Sequence, residues 1–313
     1  MTELLVVDKL SKDFRHQWTY RSFRALSEVD FSVREGEIFG LIGHNGAGKT
    51  TTFKILLGFL RPTSGRALFA GRASAGRWAR RHIGFLPEHA YFYDHLSVRE
   101  TLDFYAGLYG LRRRERARRI EELAEKLVLT SKLDAPVRSL SKGNLQRVGI
   151  AQSIIHRPRL VILDEPMSGL DPIGRKDMRD LILSLKTAGA TVIFSSHILP
   201  DAEALCDRVG ILVHGTMREI IDLRAFESRE PSGFELGLRG IAPDALDALG
   251  LPREAIAPKG GSRFVFRLPD REGLRRALQL AQAQGGEIES LTPITPSLED
   301  RVLVYMKEAH ADA

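Results

Sequence analysis

The stretch of sequence that decides the fold is residues 43–50, which read GHNGAGKT. It fits the pattern G-x-x-x-x-G-K-[ST] at every position. Glycines allow the backbone to wrap closely, so that successive N–H groups point inward at a polyphosphate. Lys49 supplies a positive charge to the β- and γ-phosphates, and the Thr50 hydroxyl is a ligand for Mg²⁺. The segment therefore predicts a phosphate-binding loop.

The flanks of this loop have the required pattern. Residues 38–42 form an apolar run that predicts a buried strand, and a helical pattern begins near Lys49, which places the positive end of a helix at the phosphates. A second apolar run, residues 160–163, carries Asp164 and Glu165 at its C-terminal end, where ligands bind in open α/β sheets. Asp164 can hold Mg²⁺ directly or through water, and Glu165 is placed to polarise an attacking water.

The class predicted for the N-terminal two thirds is α/β. Unbroken apolar runs at 39–42, 160–163, 192–194 and 209–213 are typical of parallel strands covered on both faces, and helical patterns separate them. Residues 98–156 are almost entirely helical in pattern, which indicates an inserted helical subdomain. Beyond a turn-like cluster at 228–233, alternation at Phe264, Phe266 and Leu268 predicts a small α+β domain.

Composition limits the remaining possibilities. A length of 313 residues suggests roughly two domains. One cysteine, Cys206, excludes an internal disulfide and a structural zinc site with several cysteine ligands, and favours a reducing, intracellular setting. The net charge of +6 suits a nucleic-acid binder, a membrane-surface protein or a protein that handles anionic small molecules. No apolar run is long enough to span a membrane, so work at a membrane would require another chain.

Over residues 3–220 the chain resembles the ATP-binding subunits of ABC transporters, because further motifs follow in that family's order. Residues 140–144, LSKGN, resemble the signature motif LSGGQ, with Lys142 and Asn144 as departures. Residues 168–171, SGLD, resemble the D-loop, and residues 195–197, SSH, resemble the switch-histidine segment. Residues 83–88 occupy the place of the Q-loop, with Glu88 where the family has Gln.

The resemblance implies a P-loop NTPase core of the RecA-like type, with an N-terminal antiparallel β-subdomain. The ABC ATPase domain is expected at 1–221, with its helical subdomain at about 98–156, and an accessory α+β domain at 222–313. ATP and Mg²⁺ are the implied cofactors, and Phe14 is the best match for the aromatic that stacks on adenine, with Trp18, Tyr20 and Phe23 as alternatives. The expected ATP-binding residues are Phe14, Gly43, His44, Asn45, Gly46, Ala47, Gly48, Lys49, Thr50 and Thr51.

The resemblance also implies a role for each remaining motif. The expected catalytic residues are Glu165, His197 and Lys49, and the expected metal ligands are Thr50, Glu88 and Asp164. The signature is expected to contact ATP held by a partner subunit, through Ser141, Lys142, Gly143 and Asn144. The D-loop is expected to communicate across the dimer, through Ser168, Gly169, Leu170 and Asp171.

The implied function is that of a motor subunit on the cytoplasmic face of the cell membrane. Two copies, or this chain with a paralogue, would close around two ATP molecules and drive a separate integral membrane permease. The aromatics at 89–97 are either a permease contact or a local hydrophobic cluster. The LPE and LSKG variants and residues 296–300 resemble an exporter-type subfamily with a C-terminal extension.

Two other functions compete with this one. A non-transport ABC ATPase acting on nucleic acid or ribosomes is suggested by residues 112–119, which hold six Arg and one Glu. Such a run is more often a solvated helix face, so nucleic acid is not the expected partner. A regulatory nucleotide-binding module is disfavoured, because Lys49, Asp164, Glu165 and His197 are all present.

Overall fold

The computed structural model describes residues 2–15, 22–227, 231–241, 256–259, 263–294 and 297–311. It divides into two compact units, one of Met1–Leu223 with Val302–Ala313 and the other of Arg224–Arg301. The final segment belongs to the first unit, where the Tyr305 hydroxyl donates a hydrogen bond to Glu219 at 2.9 Å. The domain division expected from the sequence, 1–221 and 222–313, instead keeps this segment with the C-terminal part.

A six-stranded sheet lies at the centre of the first unit, in the order β10-β9-β3-β8-β7-β6. Its strands are β3 (Ile38–Ile42), β6 (Ile83–Leu86), β7 (Leu160–Leu163), β8 (Thr191–Ser196), β9 (Arg208–Val213) and β10 (Thr216–Asp222). Strands β3 and β6–β9 are parallel, and β10 is antiparallel to β9. Every residue of β3, β7 and β8 is buried, which explains their unbroken apolar runs.

An antiparallel sheet packs against this centre, in the order β2-β1-β4-β5. Its strands are β1 (Glu3–Arg15), β2 (Ser22–Arg34), β4 (Ser64–Phe69) and β5 (Arg72–Ala73). One hydrophobic core joins Leu5 and Val33 of this sheet to Phe39 and Ile162 of the parallel sheet. The expected antiparallel β-subdomain is therefore confirmed.

Seven helices of the first unit, α1–α7, follow in chain order. They are α1 (Lys49–Leu56), α2 (Arg77–Arg80), α3 (Val98–Leu108), α4 (Arg113–Lys126), α5 (Lys142–Ile154), α6 (Pro172–Thr187) and α7 (Leu199–Leu205). Helices α3, α4 and α5, with two short 3₁₀ helices at Thr130–Lys132 and Val137–Ser139, form the predicted helical insertion. Helix α3 begins at a capping box, because Ser97 and Glu100 each accept a hydrogen bond from the other's backbone N–H.

The rest of the chain includes helix α8 (Leu223–Glu227) and a four-stranded antiparallel sheet in the order β12-β13-β11-β14. Its strands are β11 (Gly233–Arg239), β12 (Ile256–Pro258), β13 (Arg263–Leu268) and β14 (Glu287–Ile294), with α9 (Arg271–Ala283) packed on them. Phe264, Phe266 and Leu268 point into this core, as their alternation predicts. Helix α10 (Leu298–Ala311) ends the described chain, and none of the helices described is long and apolar enough to cross a membrane.

Gly84 tests how closely the helical insertion packs on the parallel sheet. A Cβ atom at position 84 in β6 would lie 2.0 Å from the backbone oxygen of Ser153 in α5. We expect Gly84→Ala to lower the free energy of unfolding by about 1–3 kcal/mol, because neither backbone can yield easily. The matched control is Gly143→Ala in α5, where no atom lies within 4 Å of the added Cβ. Urea unfolding should show no loss for this control, and equal stabilities of the two variants would contradict the close packing.

Candidate functional site

The loop between β3 and α1 lines a cavity of about 760 Å³, within the range of about 300–1,000 Å³ that is typical of ligand sites. Gly46 and Gly48 have φ of 84° and 108°, a left-handed backbone that favours glycine. A Cβ atom on Gly43 would lie 2.2 Å from the backbone oxygen of Leu212. Three glycines of the pattern are therefore required by the shape of the loop itself.

Lys49 begins α1 and is almost fully buried, with 6% of its surface exposed. Its ammonium donates hydrogen bonds to the backbone oxygens of Gly43 and His44 at 2.6 and 3.3 Å. It also lies 3.1 Å from Glu165 Oε1. Burial of a charge is costly unless it is paired and hydrogen-bonded, so these three acceptors hold the lysine inside the loop.

Asp164 lies directly after β7 and is 2% exposed. The Thr50 hydroxyl donates to its Oδ2 at 2.9 Å, and the Ser195 hydroxyl donates to its Oδ1 at 2.6 Å. Burial raises the pKa of the Asp164 carboxyl above its usual value, the two hydroxyls lower it, and the charges of Glu165 and Glu88 raise it. A nearby positive charge would therefore favour the ionised form of Asp164.

Glu165 has a φ of 48°, a left-handed conformation that is uncommon for a residue with a side chain. Its N–H donates to the Ser195 hydroxyl at 2.8 Å, and Gln146 Nε2 donates to the next backbone oxygen, that of Pro166, at 2.8 Å. These bonds fix the turn. The Glu165 carboxylate then lies between Lys49 and His197, whose Nδ1 is 2.9 Å from Oε2. Glu165, His197 and Lys49, expected to be catalytic, are thus in contact.

The opening of this cavity carries the aromatic candidates. Phe14 and Phe23 both line it and stack on each other with ring centroids 5.4 Å apart. The Lys12 ammonium lies 5.1 Å from the Phe14 ring centroid, and Phe23 is 60% exposed. Both rings therefore stay candidates for adenine stacking, while Trp18 and Tyr20 lie outside the described residues.

The remaining residues expected at the ATP site divide between two cavities. Glu88, Ser168 and Thr51 line the first cavity with the loop. A second cavity of about 240 Å³ lies between the start of α5 and the start of α6. The signature and D-loop residues that line it are Ser141, Gly143, Asn144, Leu170 and Asp171. The phosphate loop and the signature of one chain therefore do not share a cavity.

Two caps and one lysine shape the second cavity. The Ser141 side chain caps α5 by accepting from the N–H of Asn144 at 3.4 Å, and Asp171 caps α6 by accepting from the N–H of Gly174 at 2.7 Å. The exposed Lys142 extends over the D-loop, since a Cβ atom on Gly169 would lie 2.0 Å from its ammonium. Gly169 has a φ of 67°, a left-handed backbone that favours glycine.

Three residues of the site were missed by the sequence analysis. Ser195 is predicted only as part of a motif, and no sequence pattern predicts a role for Gln146 or His214. The His214 ring lies 4.7 Å from that of His44 at the wall of the first cavity. These contacts join residues 20 to 170 positions apart, and no local pattern signals such pairs.

Comparison with known proteins identifies the family. The ABC transporter family model matches residues 26–168. The uncharacterised ABC transporter ATP-binding protein sll0415 of Synechocystis is 43% identical, over 96% of this chain and 84% of its own length. The chain belongs to the ATP-binding proteins of ABC transporters. YxlF of Bacillus subtilis, another uncharacterised ABC transporter ATP-binding protein, is 36% identical over 98% of this chain and all of its own length.

Solved structures agree with this assignment. A structure described as the ATP-binding subunit of an ABC transporter is 34% identical, with a TM-score of 0.62, over 72% of this chain and 92% of its own. The dimeric cassette MJ0796, bound to ADP and phosphate, is 23% identical with a TM-score of 0.64, over 70% of this chain and 99% of its own, and shows the fold alone. The expected P-loop NTPase core, ATP binding and ATPase activity of the ABC family are thus confirmed.

Ser195 offers a test of the hydrogen bonds that organise this ABC ATPase site. The side chain is fully buried, and Ser195→Ala leaves Asp164 without one donor and the Glu165 N–H without its acceptor. We expect the free energy of unfolding to fall by about 1–3 kcal/mol in urea titrations, and ATPase turnover to fall with it.

Ser184→Ala is the matched control for this substitution. The Ser184 hydroxyl bonds only to Leu181 within α6 among the described residues, so its loss should change stability by less than about 0.5 kcal/mol. Equal losses for the two alanine variants would show that Ser195 does not organise the site.

Proposed function

We propose that this ABC ATPase is the motor subunit of a transporter, closes as a homodimer around two ATP molecules and drives a separate membrane permease in export. The observation that carries the proposal is the separation of the two cavities. ATP in the phosphate loop of one chain meets no signature residue of that chain. A second copy, turned to present its own signature, would complete the site.

In this proposal Lys49 and Glu165 exchange partners when ATP binds. The ammonium of Lys49 lies against Glu165 Oε1 at 3.1 Å, in the cavity that would receive the phosphates. Phosphate oxygens would replace the carboxylate as its acceptors, because the lysine is already fixed within the loop. Glu165 would then be free to polarise the attacking water, with His197 holding the other carboxylate oxygen in place.

Mg²⁺ is the proposed cofactor. Thr50 and Asp164 bring oxygen atoms to within 2.9 Å of each other in the loop, and Glu88 lines the same cavity. Hard cations prefer such oxygen donors, and Mg²⁺ needs only one or two protein ligands when phosphates and waters supply the rest. The buried Asp164 fits this role, since a cation would stabilise its charge. Bound Mg²⁺ would neutralise charge on the phosphates.

Lys142 gives the dimer a contact that the family's usual Gly lacks. The ammonium lies over Gly169 of its own D-loop, next to the cavity that Ser141 and Asn144 line. In the closed dimer the same ammonium would face the γ-phosphate of the partner's ATP. An anion is a better partner for an ammonium than a glycine backbone. The ammonium of Lys142 would therefore move from its own D-loop to the γ-phosphate when ATP is bound to the partner.

A permease contact is proposed at an exposed apolar surface, named here the aromatic surface. Its members are Tyr91, Tyr93, Phe104 and Leu108, exposed by 87%, 56%, 41% and 68%. The Tyr93 and Phe104 rings meet edge to face with centroids 5.9 Å apart. Exposed apolar side chains grouped in this way mark an interaction site, and a short amphipathic segment of a permease would cover them.

Export at the cytoplasmic face of the cell membrane is the proposed direction and place of action. The LPE and LSKG variants support it. So does YbhF of Escherichia coli, described as a probable multidrug ABC transporter ATP-binding protein. YbhF is 40% identical over 63% of this chain, and the matched region covers 34% of the length of YbhF.

The first test of this function is Glu165→Gln. The amide cannot accept the proton of the attacking water, so we expect turnover to fall by about 10²–10⁴-fold while ATP stays bound. An ATP-dependent dimer should accumulate in size-exclusion chromatography. Glu125→Gln, an exposed change on α4, should leave turnover and association unchanged. Unchanged turnover in Glu165→Gln would remove Glu165 as the base, and a monomer with ATP bound would contradict the dimer.

A second test addresses the permease. Tyr91→Ser with Tyr93→Ser should weaken co-purification with the co-expressed permease, because it removes two exposed rings. The ATPase activity of the isolated subunit should not change. Val128→Ser, at another apolar residue that is 71% exposed, is the control and should co-purify normally. Normal co-purification of the double variant would exclude the aromatic surface as the permease contact.

A further inference from the structure

The six arginines of residues 112–119 fall into two groups. Arg116 donates to Asp103 Oδ2 at 2.9 Å, and Arg119 donates to Glu122 Oε1 at 2.6 Å and to the backbone oxygen of Ile154 at 2.9 Å. These two arginines bind the helical subdomain together. The other four are exposed and form no ion pair within the part of the chain that the structure describes; they are Arg112, Arg113, Arg114 and Arg118. They are named here the arginine patch.

The arginine patch is short and crowded. Helix α4 begins at Arg113 after Arg112, without a side-chain cap, and its first turn holds one acid, Glu115. Like charges so close together repel, and basic groups at the positive end of a helix add to the cost. Glu115 offsets only part of this charge, and none of the four arginines forms an ion pair among the described residues. An anion from outside the chain would relieve the repulsion.

The aromatic surface and the arginine patch are neighbours along the chain. Leu108, 68% exposed, ends α3, and Arg112 follows four residues later. Four residues span at most about 14 Å, so the last apolar member of the aromatic surface and the first arginine are neighbours. Tyrosine and phenylalanine side chains next to exposed arginines are typical of surfaces that rest on a membrane interface.

We propose that the arginine patch binds the phosphate groups of anionic lipid headgroups, beside the permease contact. The guanidinium group matches phosphate oxygens in paired hydrogen bonds. The proposal rests on the proposed function in one respect: the permease contact at the aromatic surface is what brings a membrane close to the arginine patch. Lipid binding at the patch would attach the helical subdomain directly to the bilayer, independently of the permease.

The dimensions of the patch favour lipid over nucleic acid. From Arg113 to Arg118 the helix rises about 8 Å, at about 1.5 Å per residue. Glu121, Glu122 and Glu125 follow on the same helix, so the positive surface ends within about two turns. Nucleic-acid grooves instead follow several successive phosphates and stack bases on aromatic rings. A few lipid headgroups match the short patch.

The test is co-sedimentation of the full chain with vesicles, of phosphatidylcholine alone or in equal parts with phosphatidylglycerol. The wild type should bind the anionic vesicles, and more weakly as salt increases. The triple variant Arg112→Gln, Arg113→Gln and Arg114→Gln should bind on the order of a hundredfold more weakly, since each arginine near the surface contributes about fivefold. The melting temperature of this variant should not fall, because glutamine has a helix propensity close to that of arginine and its neutral side chain removes the repulsion between the arginines.

The matched control removes the same charge elsewhere. Arg77, Arg80 and Arg81 are exposed at α2 and form no ion pair among the described residues. Their triple change to Gln should leave vesicle binding within about twofold of the wild type, since α2 is not part of the patch.

Three results would overturn the proposal. They are equal binding of wild type to both vesicle types, equal losses in the two triple variants, and loss of binding to single-stranded RNA in the patch variant while its vesicle binding persists. The ATPase activity of the patch variant should stay normal. Failure of ATP-dependent dimerisation in Glu165→Gln would overturn the proposed function and leave the vesicle result standing.

Discussion

The structure of the site depends on a lysine ammonium buried among oxygen atoms. Lys49 is 6% exposed, and its positive charge is held by the backbone oxygen of Gly43 and by Glu165. Moving such a charge out of water is costly, and only close acceptors offset the cost. The phosphate loop must therefore curve tightly around the lysine, and the turn after β7 must bring a carboxylate to it. Gly46 and Gly48 permit the curve, and the left-handed Glu165 supplies the turn.

The same constraint accounts for the residues around Asp164. A second buried carboxylate so close to Glu165 is stabilised by hydroxyl donors, and Thr50 and Ser195 supply one to each oxygen. Ser195 also accepts the Glu165 N–H, so one hydroxyl holds both acidic residues. The residual rise in the pKa of Asp164, caused first by burial, leaves this carboxylate suited to a cation. The site is thus ordered by its own hydrogen bonds, while the carboxylate of Asp164 forms no ion pair among the described residues.

Much of this arrangement could be predicted from the sequence, because its main parts are local. The loop at 43–50 carries its pattern in eight successive residues, and Asp164 and Glu165 directly follow the strand that positions them. What could not be predicted depends on contacts between distant segments. Ser195 reaches Asp164 from the neighbouring strand β8, and no spacing marks that pair. The sequence also could not decide which of Phe14 and Phe23 stacks on adenine. The two residues face each other on the antiparallel strands β1 and β2, and their rings stack at the same opening.

Lys142 shows where the family pattern itself could mislead. From the signature alone, a lysine in place of glycine suggests a weaker motif. In the structure its ammonium lies over Gly169 of the D-loop, whose left-handed backbone favours glycine. Glycine at position 169 therefore leaves room for the flexible end of Lys142 over the D-loop. The helix N-terminus at Ser141 and the ammonium beside it are both positive, so in the proposed dimer they would suit a partner's phosphate. Under the proposed dimer, the variant signature would bring an added cation to the partner's ATP.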